Sequence, residues 1–188
     1  MGDAWNHGED PKLYPIDTGR LRRVIETAAQ GIGWGRATPQ GSGLGIAGHY
    51  SFVSYVAVAA EVQVDGPRLL IPRVDIAIDC GPHVNPERIR SQMEGAVVMG
   101  AGLATSAEIS FRDGRVEQNN YDTYELTRID TAPRDIRVHL VGAGDYGQPL
   151  GGVGEPGLPP VAPAIANALF AATGKRIRRL PIRDQFAA

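Results

Sequence analysis

Residues 50–78 read YSFVSYVAVAAEVQVDGPRLLIPRVDIAI. Enrichment in β-branched and aromatic residues predicts two strands, Tyr50–Val64 and Arg68–Ile78, and Asp65-Gly66-Pro67 supplies the turn between them. A long hairpin flanked by helical patterns sets the class as α+β, with a mixed or mostly antiparallel sheet and packed helices. Upstream, Asp17-Thr18-Gly19 offers a cap for a surface helix over RLRRVIETAAQ, whose Leu21, Val24, Ile25 and Ala28 share one face. Downstream, Asn85-Pro86 supplies an N-cap and a first-turn proline for a buried helix over Glu87–Thr105. Gly95, Gly100 and Gly102 each weaken that helix by about 1 kcal/mol relative to alanine, so a cofactor or a packed strand is expected against its backbone.

Further along, EISFRDGRVEQ reads as a hairpin turning at Asp113-Gly114, and DIRVHLV (135–141) as a strand. PVAPAIANALFAATG reads as a helix that tolerates Pro163 in its first turn and stops at Gly174, and RIRRLPI (176–182) as a last strand. Residues 1–16 form a polar leader, expected to be poorly ordered, and residues 17–188 one folded unit.

The 188 residues, 43% of them hydrophobic, suffice for one large domain with a real core. A net charge of −2 with scattered Lys and Arg implies neither nucleic acid nor an anionic membrane as partner, and points to small molecules. No apolar run approaches the roughly 20 residues of a membrane span. The opening residues lack the basic and apolar blocks of a signal peptide, which makes the cytoplasm the default compartment and leaves the periplasm open through a partner. One cysteine, Cys80, excludes an internal disulfide framework and a cysteine-only zinc site, and reads as a buried structural thiol.

Several motifs mislead. GLGIAG (43–48) matches the dinucleotide fingerprint by letter, but a strand follows it where a helix is needed. Gly95 to Gly100 has phosphate-loop spacing without the Lys-Ser or Lys-Thr that completes it. His7, His49, His83 and His139 never fall at short ligand spacing and read as surface or hydrogen-bonded structural residues; no metal ligand is assigned.

One segment stands apart. GGVGEPGLPP (151–160) holds four glycines, three prolines and a single ionisable group, Glu155. Glycines 151, 152 and 154 allow positive φ and close approach by another molecule, and the prolines remove freedom on the other side, so the carboxylate is presented rigidly. Successive glycine N–H groups near the next helix suit an anion nest beside an acid. On chemistry alone, a solvent-facing glutamate in a Pro/Gly turn explains the segment equally well.

The run GGVGEPGLPPVAPAIANALFAATGKRIRRLPI resembles the C-terminal signature of the molybdenum hydroxylase large subunit, in the xanthine dehydrogenase and aldehyde oxidase superfamily. GHYSFVSYVAVAAEVQVD, DCGPHVNPERIRSQMEGAVVMGAG and EISFRDGRVEQNNYDTYELTRI are similar to the isoquinoline 1-oxidoreductase β-subunit branch in the same order. The resemblance implies that the chain is a C-terminal molybdopterin-binding part, that Glu155 is the active-site base, and that Gly152, Val153 and Gly154 line the cofactor. It implies that Gln92, in Gln92-Met93-Glu94-Gly95-Ala96, lies near the pterin, with Glu94 and Gly95 in packing roles. The implied reaction is hydroxylation of an N-heterocycle or aldehyde with water as oxygen source, by a base desolvated enough to work near neutral pH.

The implied cofactor is molybdenum in molybdopterin, in the cytosine dinucleotide form, with iron–sulfur clusters on a small partner subunit. Family large subunits are several times longer than this chain. It is therefore expected to be inactive alone, as an excised domain or a split-gene subunit that meets the remainder of the large subunit in a partner. Two competing expectations are a non-catalytic assembly or scaffold domain that keeps the fold, and a small-anion-binding module built on the glycine nest.

Overall fold

The computed structural model describes residues 8, 10, 12, 16–142 and 146–186, so most of the expected leader, as well as His7, lies outside the described residues. Its strands are β1 (Ser42–Ser51), β2 (Ser54–Asp65), β3 (Arg68–Asp79), β4 (Phe111–Arg112), β5 (Arg115–Val116) and β6 (Asp135–Leu140). Strands β1, β2 and β3 form an antiparallel meander, and β6 joins β3 in parallel, giving the order β1-β2-β3-β6. The β4–β5 pair is the small hairpin expected at Asp113-Gly114, both of whose residues have positive φ.

Side chains on a strand alternate between faces, and the sheet buries both. Val56, Val58, Ala60 and Val62 of β2, with Val74, Ile76 and Ile78 of β3, pack into one apolar cluster with helices α2 (Pro86–Thr105) and α3 (Val161–Thr173). Tyr55, Ala57, Ala59 and Ala77 face the other way, against Val24, Ala28 and Ile32 of helix α1 (Thr18–Ile32). Fully buried Ile165 and Leu169 of α3 each contribute about 1.5–3 kcal/mol of burial. The caps are as expected: the Asp17 carboxylate accepts from the Gly19 and Arg20 N–H groups, the Asn85 side chain from Arg88 N–H, and Gly174 closes α3 in the left-handed region.

Three expectations are corrected. First, Tyr50–Val64 is not one strand. It breaks at Phe52-Val53, so GLGIAG lies inside the edge strand β1. A Cβ at Gly45 would strike the Ala168 nitrogen and the Ala164 carbonyl, so α3 lies flush on β1 only because position 45 is glycine. Second, 176–182 is not a strand. Ile177 and Ile182 are buried, and the N–H groups of Ile182 and Arg183 donate to the Ala104 and Thr105 carbonyls, satisfying the end of α2 instead of a sheet edge. Third, the glycines of α2 do not meet a strand. Gly100 faces Val161 and Gly102 faces Thr127, while nothing lies within 4 Å of the Cβ position at Gly95.

The α1 face also buries charge. Asp79, 3% exposed at the end of β3, accepts from Arg20 Nε and Nη2 at 2.9 and 2.6 Å and from the Gly81 N–H at 3.2 Å. Burial pushes its carboxyl up, but the bonds from Arg20 and Gly81 outweigh this, and it lies below the ordinary carboxylate range. Four residues earlier, Asp75 is wholly buried and accepts from Arg73 Nε at 2.7 Å, with His139 Nε2 2.7 Å away. Here too burial raises the carboxyl, and His139 and Arg73 bring it below its usual value. Arg73 Nη2 also donates to the Gly31 carbonyl, so α1 is tied to the sheet near both ends.

Candidate functional site

After β6 the chain returns across the end of the β2–β3 pair as a strap, residues 149–155. Gly151 N–H donates to the Cys80 carbonyl at 2.9 Å, and Gly152 N–H to the Phe52 carbonyl at 2.8 Å. The Ser54 hydroxyl, fully buried, donates to the Gly152 carbonyl at 2.6 Å. A Cβ on Gly152 would lie 2.9 Å from Phe52 Cβ, and one on Gly151 would strike the Ser54 hydroxyl. Neither Gly151, Gly152 nor Gly154 has a positive φ. These glycines are therefore required for close contact with this chain's own backbone, not for left-handed geometry, and the expected nest of successive glycine N–H groups does not form.

Beyond Gly152 the strap opens. Val153 packs on the α2–α3 core, and the N–H groups of Val153, Gly154 and Glu155 make no hydrogen bond among the described residues. Gln92 Nε2, on the exposed side of the first turns of α2, comes within 3.9 Å of the Cβ position of Gly154. Glu155 is exposed, and its carbonyl accepts from Leu158 N–H in the turn that leads into α3. Gly157 then sits against Met93 and Ala96, one turn along α2 from Gln92. All five predicted site residues, Gln92, Gly152, Val153, Gly154 and Glu155, thus belong to one surface region. Glu94 and Gly95 are exposed beside it, and the space at the Gly95 Cβ position is open.

Chemically, the region offers backbone N–H donors, an amide and an exposed carboxylate: groups that hold an oxygen-rich or anionic ligand and accept a proton from it. The desolvation expected of the base is not supplied by this chain, because Glu155 is exposed. Cys80 behaves as expected of a structural thiol: it is 1% exposed, and burial raises its pKa. His49 pairs with Ser51 and His139 with Asp75, while His83 Nε2 is buried without a hydrogen-bond partner among the described residues. No three His, Cys, Asp or Glu side chains gather to hold a metal ion among the described residues.

Sequence reasoning missed the groups that hold the strap: Phe52, Val53, Ser54 and the Cys80 carbonyl. Phe52 and Val53 have φ of 51° and 63°, both left-handed, in a two-residue turn between the paired Ser51 and Ser54. Such turns favour Asn-Gly, and β-branched Val53 is an outlier there, so the letters gave no turn signal. The alternation of small Gly43, Gly45 and Ala47 with larger Leu44 and Ile46 could have revealed β1; nothing local reveals the strap contacts, which join residues 98 apart.

Comparison with known proteins agrees with this geometry. The model of the molybdopterin cofactor-binding domain family matches residues 22–133, which include Gln92 and stop short of the strap. The chain is 31% identical over 184 residues to the isoquinoline 1-oxidoreductase subunit beta of Brevundimonas diminuta, covering 95% of this chain and 23% of that protein. It is 32% identical over 142 residues to a probable aldehyde oxidase of rice, Oryza sativa subsp. japonica, covering 73% of this chain and 10% of the relative. The aldehyde oxidoreductase of Desulfovibrio gigas superposes with a TM-score of 0.60 at 29% identity, over 70% of this chain and 15% of that one. The chain thus spans less than a quarter of each of these proteins. By the family match over most of its length and the α+β sheet it shares with these proteins, the chain belongs to the molybdopterin cofactor-binding domain family of the molybdenum hydroxylases.

Proposed function

We propose that residues 17–188 form the C-terminal molybdopterin-binding domain of a molybdenum hydroxylase large subunit, with Glu155 as its active-site base. One observation carries the reading: exposed Glu155, the N–H groups of residues 153–155, unpaired among the described residues, and the Gln92 amide lie together on one surface. These groups suit molybdopterin, which is rich in oxygen and negative charge and carries its metal through its own sulfur atoms. Gln92 and the backbone of Gly152, Val153 and Gly154 would line the cofactor. Molybdenum, when bound, supplies the two-electron redox chemistry. Glu155 would take the proton from the water that provides the oxygen, and the turn to Leu158 holds its backbone.

The names of the relatives support an N-heterocycle or an aldehyde as substrate. The family resemblance of the sequence favours the cytosine dinucleotide as the cofactor form. The chain spans 23% of the isoquinoline 1-oxidoreductase subunit, so the remaining cofactor-binding segments belong to the rest of a large subunit, whether in the same polypeptide or in a split-gene partner, and iron–sulfur clusters to a small subunit. Exposed Val84, Met99 and Leu150, near the same region in sequence and on α2, suit cover by those remaining segments, which would also desolvate Glu155. Alone, the chain is inactive.

The test is reconstitution with the neighbouring subunits, followed by molybdenum analysis and dye-linked turnover. Glu155→Gln is expected to keep the metal and lose turnover by about 10²–10⁴-fold. Near wild-type turnover in that variant removes Glu155 from the mechanism. A stable complex with neither metal nor turnover identifies a scaffold domain instead.

A further inference from the structure

We infer that the β1–β2 turn is a latch for the strap: Ser54 and the left-handed Phe52-Val53 pair set the position of Gly151 and Gly152, and through them that of Glu155. The latch rests on geometry alone; only its link to turnover depends on the function proposed above. Three hydrogen bonds fasten the strap, and two of them, Gly152 N–H to the Phe52 carbonyl and the Ser54 hydroxyl to the Gly152 carbonyl, come from four consecutive residues at this turn. They clamp the two sides of one residue, Gly152.

The turn itself argues for this role. Left-handed backbone at a β-branched residue persists only where the surroundings over-determine it, and such positions cluster at functional sites. Here the left-handed pair directs the Phe52 carbonyl at the Gly152 N–H and lays Phe52 Cβ against the Gly152 Cα, while the Val53 carbonyl approaches Gly151. Phe52 remains 58% exposed, so burial of its ring does not account for its place in the turn. Between Gly152 and Glu155 no backbone N–H is bonded among the described residues, so the latch upstream and the turn into α3 downstream are the hydrogen-bonded anchors of the Glu155 backbone, with the Val153 side chain packed on the core between them. Ser54 and Phe52 are positioning residues, acting through Gly152.

The experiment is ¹⁵N relaxation and amide exchange on the labelled chain. In Ser54→Ala, order parameters across residues 151–155 are expected to fall from about 0.85 to below about 0.6, while those of β2, β3 and α3 stay at their wild-type values. The Gly151 and Gly152 amides are expected to exchange about five- to tenfold faster, the loss of one net hydrogen bond. Gly152→Ala, whose Cβ meets Phe52, leaves the turn sequence intact and is expected to loosen the same residues. Strap residues that stay rigid and protected in both variants overturn the latch. In the reconstituted enzyme, Ser54→Ala is expected to lower kcat about tenfold with KM within twofold, the signature of a misplaced rather than missing group. An unchanged kcat alongside a loosened strap would leave the latch standing and count against Glu155 as the base.

Discussion

On its α1 side the sheet buries two carboxylates, Asp75 and Asp79, each held by an arginine; on its α2–α3 side it buries Val56, Val58, Ile76, Ile78, Ile165 and Leu169, with no buried charge among the described residues. The first side locates its helix by directed bonds, from Arg20 near one end of α1 and to the Gly31 carbonyl near the other. The second locates its helices by shape, with α3 seated on β1 through Gly45 and on α2 through Gly100. Charge pairs resist sliding but depend on protonation, whereas shape contacts are indifferent to pH and intolerant of added volume. The candidate site is built on the second side, where the strap rests on α2 and the β1–β2 turn.

Variants can break this contrast. The largest effect is expected for Asp79→Ala, which leaves Arg20 buried without its partner and should cost about 3–5 kcal/mol in urea unfolding at neutral pH. The Asp79 carboxyl is held below its ordinary value, so its contribution is present above the unfolded value near 3.9 and is lost as the pH falls through the folded one. The gap between wild type and variant should therefore narrow below about pH 4. A gap that stays constant down to strong acid would show that the pair is not what holds α1.

Gly45→Ala tests the other face. The new methyl meets α3 backbone, which cannot rotate away, so about 1–3 kcal/mol of destabilisation is expected, equal at pH 4 and pH 7. A pH-dependent cost would mean that the faces are coupled. The smallest effect belongs to Glu155→Gln, an exposed site that should change the unfolding free energy by less than about 0.5 kcal/mol. A larger change would give Glu155 a structural duty and weaken its assignment as a base.

How far the letters reached follows the same division. The β2–β3 hairpin and the capped helices were legible because β-branched and aromatic enrichment, the Asp65-Gly66-Pro67 turn, Asp17, Asn85 and Gly174 are local signals. The family was legible because ordered motifs carry a resemblance even where no single one is specific. What escaped depended on distant partners. The break at Phe52-Val53 carries no Asn, Asp or Gly to announce its left-handed turn, and the strap it meets is remote in sequence. Residues 176–182 have strand-like composition, but their N–H groups complete α2. Arg20 reads as a surface residue of an amphipathic helix, and only the fold shows it buried beside Asp79. At the site, Glu155 and Gln92 stood out in the sequence, whereas the groups that hold the strap did not.

Because β6 pairs with β3 in parallel, the chain cannot complete its sheet by turning back on itself. The meander of residues 42–79 needs only two tight turns, so it is the part able to form while synthesis continues; β6 must wait for α2 and the excursion over residues 107–134. The strap comes later still and settles on a turn that already exists. The place where Glu155 will stand is thus made ready well before Glu155 itself is added to the chain, and any variant that slows the meander delays the site without touching a single residue in it.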